Sequence, residues 1–276
     1  MEDWIAELEP GQRVLDLGSG PGSVPGLQAR CTVIALDEDV DAFVYAAPPA
    51  PGHCRVFARG DSMPFAPGSI DLVICHHSME HITRLEETLA EVARVMKPDG
   101  RVFVSVPDGH GLCDAVYRCV FEGGGHVNRF RREELVSLVE RTVGARLVRW
   151  QRLYSSFVYL WRLAEMLKEP PPGLSQRLMA IGRLPRRSAA AAQRILYSGT
   201  RIADRTFHTS LALYGWAFWF DRRGGEVAEE PAYVNVCRFC GVGQQVAAAG
   251  RVGRRKFRCV NCNGLNPYFK PFGNAI

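Results

Sequence analysis

The segment Val14–Gly22 constrains the fold more than any other stretch of this sequence. An apolar run ends in Asp16, and glycines follow at alternate positions, Gly18, Gly20 and Gly22. The apolar residues predict a buried parallel strand, and the glycines permit a tight turn whose backbone can lie against a ligand. Open α/β sheets bind nucleotide-like ligands at such a turn after the first strand. We therefore predict an α/β fold with a nucleotide-type site at this turn.

The spacing of the glycines excludes a dinucleotide fingerprint. That fingerprint requires glycines at its first, third and sixth positions, and Gly18 and Gly20 fit, but Ser23 occupies the sixth position. The order acid-x-Gly-x-Gly-x-Gly, beginning at Asp16, instead resembles motif I of the class I S-adenosylmethionine (SAM)-dependent methyltransferases.

Further elements follow in the order that this family shows. A second apolar strand, Thr32–Leu36, ends at Asp37, 19 residues after Gly18, near the spacing of a carboxylate that accepts ribose hydroxyls. The later predictions are strand four over 68–75, a helix over 85–96, a turn over 97–100, strand five over 101–107 and a helix over 132–141. Over residues 10–150 the chain resembles the small-molecule methyltransferases that include the ubiquinone- and menaquinone-biosynthesis enzymes.

The resemblance implies roles for individual residues. It implies Asp16, Gly18, Gly20 and Gly22 at the methionine end of SAM, Asp37 at the ribose, Asp61, Ser62 and Met63 at the adenine, and His76 near the homocysteine part. Strand-end capping by the first two acids and a plain core role for the methionine are the alternatives. A hydroxyl acceptor needs a general base, for which we single out His77 and His126. A mechanism without a base is equally open, because SAM brings its own leaving group.

The fold class that we predict is α/β, with a Rossmann-like, mostly parallel sheet of seven strands. Strand six is expected over 145–150 and strand seven over 214–220, with helices over 154–168 and 188–211 between them. The expected domains are a SAM-binding core (1–153), a helical insertion (154–211), the last strand with a linker (212–232) and a zinc ribbon (233–276). We expect the insertion to form a substrate lid or a membrane-facing surface, or simply to pack on the sheet. The apolar residues behind this expectation are Phe157, Tyr159, Leu160, Trp161, Leu163, Met166 and Leu167.

Two Cys-x-x-Cys pairs near the carboxyl end predict a metal site. Cys237 with Cys240 and Cys259 with Cys262 have the spacing of a tetrahedral Cys₄ zinc site. Four thiolates leave no open coordination position, so the zinc would be structural, and short strands are expected over 244–248 and 254–257. An iron centre and a redox dithiol pair are the alternatives.

Composition limits the remaining possibilities. Hydrophobic residues make up 47% of the 276 residues, enough for a packed core. The sequence lacks an apolar run long enough to span a membrane, and nine cysteines without an export signal favour reduced thiols. We expect a cytoplasmic protein, with peripheral membrane contact as an option.

Charge adds a clue about partners. The net charge is +5, and nine arginines between Arg177 and Arg223 face only two acids. This bias favours an anionic partner or simply a solvated basic surface. We expect a SAM-dependent methyltransferase acting on a small molecule, sugar or lipid-linked intermediate. An RNA methyltransferase that docks through the ribbon is the alternative, and a degenerate SAM-binding regulator is a third option. The oligomeric state stays open.

Overall fold

A computed structural model describes residues 7–20, 22, 31–40, 52–121, 125–160, 186–246 and 250–270. The chain divides into two compact units. Unit 1 comprises Met1–Pro107, Val127–Gln151 and Trp216–Glu230, and unit 2 comprises Asp108–His126, Arg152–Gly215 and Pro231–Ile276. No helix among the described residues is both long and apolar enough to cross a membrane.

The main sheet confirms the predicted fold class. Its strand order is β3-β2-β1-β4-β5-β7-β6-β8. Strands β1 to β5 pair in parallel, as the apolar runs predict, because a strand covered on both faces is apolar along its whole length. The strands are β1 (Arg13–Leu17), β2 (Thr32–Asp37), β3 (His53–Phe57), β4 (Ile70–His76), β5 (Met96–Pro107), β6 (Arg146–Tyr154), β7 (Leu213–Asp221) and β8 (Ala228–Glu230).

Two helices of unit 1 have one buried face each. Helix α1 (Leu85–Val95) buries Leu89, Val92 and Val95, which recur at helical spacing. Helix α3 (Arg132–Val143) ends at Gly144, whose φ of 71° is the left-handed conformation that closes many helices. The turn predicted over 97–100 is instead part of β5, which begins at Met96.

The last strands differ in length from the prediction. Strand β6 continues to Tyr154, so the helix predicted from that residue does not begin there. Strand β8 pairs in parallel with β6 at the sheet edge and was not predicted, since its three residues carry no apolar alternation. Arg222, at the end of β7, donates to the carbonyls of Ala93, Met96, Lys97 and Val143. This guanidinium is therefore a structural tie, not part of a free basic surface.

Unit 2 has a core of its own. It contains helices α2 (Leu112–Val120) and α4 (Arg186–Phe207). Its buried cluster is Cys113, Val120, Phe157, Leu160 and Tyr197. Burial of Phe157 and Leu160 removes these two side chains from the proposed membrane-facing set. Tyr159 is partly buried and packs against the same cluster. The remaining members Trp161, Leu163, Met166 and Leu167 lie outside the described residues, and the lid role of 154–211 stays a prediction.

The carboxyl-terminal segment of unit 2 forms small antiparallel sheets. Strands β9 (Asn235–Val236) and β10 (Gly243–Gln244) form one, and β11 (Arg251–Val252), β12 (Lys256–Arg258) and β13 (Leu265–Pro267) form the other. The strand predicted over 254–257 begins two residues later and ends one residue later, and the strand predicted over 244–248 is a two-residue strand that begins at Gly243.

Helix α4 holds this segment through three buried side chains. Gln193 donates to the carbonyl of Arg238 at 2.8 Å, the Tyr197 hydroxyl donates to that of Val236 at 2.7 Å, and Arg201 donates to that of Val234 at 3.2 Å. All three donors recur on one helix face. The helix and the ribbon are thus one packed structure within unit 2.

Candidate functional site

The glycine turn after β1 is closely packed. The N–H groups of Gly18 and Ser19 donate to the carbonyl of Leu36 at 2.9 and 3.1 Å. Gly18 has a φ of 65°, and a Cβ placed on it would lie 2.6 Å from the Cβ of Ser78. Only glycine satisfies both the backbone conformation and the close approach, which explains the residue type at the start of the turn.

Asp37 is fixed at the end of β2 by backbone donors. Its Oδ2 accepts the N–H of Gly20 at 2.8 Å, and its Oδ1 accepts the N–H of Asp39 at 2.9 Å. Each carboxylate oxygen has a second lone pair, so the group can still accept two hydroxyls. Asp16, in contrast, is only 2% exposed, within β1 and beneath the turn.

A cavity of about 320 Å³ lies in unit 1 beside these residues. Its size suits a nucleoside-sized ligand. The lining residues include Gly18, Gly20, Asp37 and Asp61 from the predicted set, together with Leu17, Leu36, Glu38, Arg59, His77, Ser78, Ile82, Arg84 and Thr88. The structure therefore gathers the predicted ribose and adenine carboxylates around one cavity.

Asp61 carries an ion-pair arrangement that the sequence did not reveal. Arg59 donates to both of its carboxylate oxygens, at 2.8 and 2.7 Å, and Arg84 lies 2.8 Å from Oδ2. The hydrogen bonds from Arg59 lower the pKa of Asp61, so the carboxyl is held ionised. The spacing Arg-x-Asp was visible in the sequence, but Arg84 is 23 positions away and no local pattern marked it.

Two histidines lie at the carboxyl end of β4, His76 as its last residue and His77 directly after it. His76 shares a hydrogen bond of 2.7 Å between its Nδ1 and the Ser105 hydroxyl, and burial lowers its pKa to about 3. His77 lines the cavity, and its Nδ1 lies 3.6 Å from Oε1 of the buried Glu80. His77 also has a φ of 53°, a conformation uncommon outside glycine that occurs at functional sites.

The other predicted cofactor residues do not line the cavity. Gly22 donates its N–H to the carbonyl of Ser19, and Ser62 donates its N–H to that of Arg59. Met63 is 4% exposed, and its N–H donates to Glu91. Their roles toward SAM stay predictions.

His126, the second candidate base, belongs to unit 2. Its Nδ1 lies 2.7 Å from Oδ1 of Asp114, and its ring stacks on Tyr117 with centroids 4.9 Å apart. Both members of the Asp–His pair are buried. No local pattern links Asp114 to this histidine, because twelve residues separate the two.

The four predicted metal ligands converge. Their Sγ atoms all lie within 4.8 Å of one another. The Sγ atoms of Cys237 and Cys262, and those of Cys240 and Cys259, are 3.5 Å apart. Thiolates 2.3 Å from a tetrahedral zinc would be roughly 3.8 Å apart, a value that lies between the two shortest separations and the 4.8 Å limit, so the cluster fits such an ion after a small adjustment.

Sequence comparison shows that part of unit 1 is similar to known methyltransferases. Residues 15–104 match a family described as a methyltransferase domain. The malonyl-(acyl-carrier protein) O-methyltransferase of Methylococcus capsulatus is 30% identical over 149 residues, 51% of this chain and 54% of that protein. An uncharacterized methyltransferase, YcgJ, of Bacillus subtilis is 32% identical over 159 residues, 55% of this chain and 58% of that protein. The chain thus spans about half the length of the curated relatives it matches.

Solved structures show the same fold at low identity. The YcgJ structure gives a TM-score of 0.51 at 18% identity and covers 81% of this chain and 98% of its own. The cyclase SpnF gives a TM-score of 0.51 at 20% identity, with 82% of this chain and 80% of its own covered. Since a protein titled as a cyclase has this fold, the fold alone does not determine the reaction.

Proposed function

We propose that the chain binds SAM in the unit 1 cavity and transfers its methyl group to a small molecule, since residues 15–104 match a methyltransferase-domain family. One observation carries the proposal. The glycine turn and the fixed Asp37 carboxylate line the same cavity, and a nucleoside needs both close backbone approach and a hydroxyl acceptor.

Each lining residue has a definite task in this proposal. Asp37, held by two backbone N–H groups, accepts the two ribose hydroxyls. The turn at Gly18 and Gly20 lies against the amino-acid end of the cofactor. Asp61 accepts from the adenine amino group, while Arg59 and Arg84 keep it ionised and in place.

SAM, when bound, supplies a methyl group on a positively charged sulfur that leaves readily. What remains for the protein is to align an acceptor and remove its proton. His77 is the candidate base in unit 1, because it lines the cavity and faces the carboxylate of Glu80. That carboxylate would stabilise the imidazolium formed when the ring takes a proton.

Support for a small acceptor comes from the relatives. The protein of Methylococcus capsulatus is named for an acyl-carrier-protein-linked malonyl group, and a Rubrivivax gelatinosus protein, 33% identical over 100 residues, is named for ubiquinone and menaquinone biosynthesis. This match covers 35% of the present chain and 40% of the Rubrivivax gelatinosus protein. From these names we propose that the methyl acceptor is a small molecule or a molecule attached to a carrier. They do not specify which compound it is.

A transfer assay tests the proposal. The purified chain is incubated with methyl-tritiated SAM and a cell extract, which is then separated into lipid, glycan, small-molecule, RNA and protein fractions. We expect label in the small-molecule or lipid fraction with the wild type and at least tenfold less with Asp37→Ala, since that variant loses two hydrogen bonds to the cofactor. Label confined to RNA would contradict the small-molecule acceptor, and no enzyme-dependent label in any fraction would contradict methyl transfer.

We further propose that the four-cysteine cluster holds one structural zinc ion. The four sulfur atoms lie within 4.8 Å of one another, which supports this proposal. Zinc binds cysteines as thiolates, so the four thiols would lose their protons when the ion binds. Elemental analysis of chain prepared without chelator should find one zinc per molecule. Cys240→Ser should lose it, while Cys119→Ser, an exposed cysteine outside the cluster, should retain it.

A further inference from the structure

The two units carry opposite charges. Unit 2 contains 18 lysines and arginines against 6 aspartates and glutamates, a net charge of +12. Unit 1 contains 16 against 23, a net charge of −7. The overall charge of +5 is therefore the sum of a strongly basic unit 2 and an acidic unit 1. Such a separation favours an extended anionic partner for unit 2, because a field of one sign steers and concentrates opposite charges.

The basic character is strongest in the zinc-ribbon segment. Residues 231–276 contain seven lysines and arginines and not one aspartate or glutamate. Strands β11 and β12 form a hairpin with Gly253, Arg254 and Arg255 between them. Five of the cations lie on this hairpin, and all are exposed: Arg251, Arg254, Arg255, Lys256 and Arg258.

The pairing register places part of this charge on one face of the hairpin. Val252 lies opposite Lys256, and Phe257 lies opposite Arg251 and Asn266. Phe257 is fully buried, so Lys256 and Arg258, its neighbours in β12, point to the opposite face. The hairpin therefore presents cations outward on a short segment that leads directly into Cys259.

Aromatic rings accompany the cations. The guanidinium of Arg251 lies over the ring of Tyr268 at 4.2 Å, and that of Arg238 lies over Phe239 at 4.7 Å. Phe239 is 38% exposed. Guanidinium planes and aromatic rings are the groups on which unstacked nucleobases stack.

We propose that the β11–β12 hairpin of unit 2 binds a single-stranded polynucleotide. The arginines contact successive phosphates, and the arginine–aromatic pairs receive bases. A lipid surface fits the hairpin less well, because interfacial binding also requires buried apolar area and the hairpin exposes only Val252 as a large apolar side chain. The proposal concerns binding and does not depend on methyl transfer or on SAM.

Fluorescence anisotropy with a labelled 20-nucleotide uridine oligomer tests this binding, in parallel with the matching DNA oligomer. If five phosphates are contacted, the logarithm of the association constant should fall with the logarithm of salt concentration with a slope of about −3.5. The triple variant Arg254→Gln, Arg255→Gln, Lys256→Gln should make the slope less steep, about −1.4. It should also weaken binding by at least tenfold at low salt. Tyr268→Leu should weaken it by about fivefold, through lost stacking.

The control has the same change in charge at another place. Arg131, Arg141 and Arg146 are exposed cations of unit 1, and replacing all three by Gln should change affinity by less than twofold. Equal loss in this control would overturn the proposal, since net charge alone would then explain binding. Absence of measurable binding at 50 mM salt would also overturn it.

Membrane binding is measured in the same series. Vesicles of phosphatidylcholine with one quarter phosphatidylglycerol are sedimented with the wild type and with the hairpin variant. Hairpin-dependent sedimentation together with weak oligomer binding would identify lipid as the partner and overturn the proposal.

Zinc content and the far-ultraviolet circular dichroism of each variant show whether it is folded, and wild-type values in both are required.

Discussion

Replacing Arg201 with methionine should destabilise unit 2 by about 3 kcal/mol. The guanidinium is fully buried in the middle of α4. It donates to the carbonyls of Ser155 at 2.8 Å, Tyr197 at 3.1 Å and Val234 at 3.2 Å, and it lies 4.1 Å from the centre of the Tyr197 ring. It therefore joins the helix, the segment after β6 and the residue that precedes β9.

The magnitude follows from the groups left behind. Methionine fills much of the same volume but donates nothing, so the carbonyls of Ser155 and Val234 lose this donor at a cost of about 1–3 kcal/mol each. The lost cation–π contact adds about 1 kcal/mol. Burial lowers the pKa of the guanidinium, which shows that its charge is costly inside the protein, and relief of that cost offsets part of the loss. A net change of about 3 kcal/mol corresponds to roughly 10 °C in the melting temperature of a domain of this size.

Two measurements check this prediction. Urea unfolding followed by circular dichroism gives the free energy, and a chromogenic chelator follows zinc release, which should be faster in the variant because Val234 lies three residues before Cys237. Arg194→Met makes the same change at an exposed position of the same helix and should alter stability by less than about 0.5 kcal/mol. A stability loss below about 1 kcal/mol for Arg201→Met, or an unchanged rate of zinc release, would contradict this role of Arg201.

Further predictions concern the glycine turn after β1 and the buried histidine at the end of β4. Gly18→Ala should cost about 2 kcal/mol of stability and abolish SAM binding, measured by thermal melting and calorimetry, because it combines a left-handed φ with a 2.6 Å approach to Ser78. Gly11→Ala should lose less stability. Gly11 has a φ of 89° and open space around it, so this variant has the unfavourable φ but no steric clash. Burial lowers the pKa of His76 to about 3, so the unfolded chain binds its proton first and stability falls as pH drops below 6.5. The loss should reach about 2 kcal/mol at pH 5, and His76→Asn should lack it in urea unfolding at the two pH values; an equal loss in both proteins would contradict this.

The sequence predicted well those parts whose chemistry is local. A buried strand, a glycine turn and an acid at the end of the next strand form a short-range pattern, and Asp37 and Gly18 duly line one cavity. The Cys-x-x-Cys pairs likewise brought four sulfur atoms together. In both cases the spacing along the chain already contains most of the geometry.

Long-range pairing and burial could not be read in this way. Arg201 and Arg222 belong to the arginine-rich stretch that suggested a basic surface, yet one is fully buried and the other donates to four carbonyls. An arginine beside small helical residues has the same local appearance whether it faces solvent or a neighbouring carbonyl. The pairing of Arg84 with Asp61 and that of Asp114 with His126 depend likewise on tertiary packing.

Calorimetric titration of SAM into the purified chain tests whether the unit 1 cavity is a SAM site. We expect binding of one equivalent by the wild type, at least tenfold weaker binding by Asp37→Ala, and unchanged binding by Asp39→Ala, whose backbone N–H still holds Asp37. Absence of SAM binding by the folded wild type, or equal affinity in the wild type and Asp37→Ala, would contradict it.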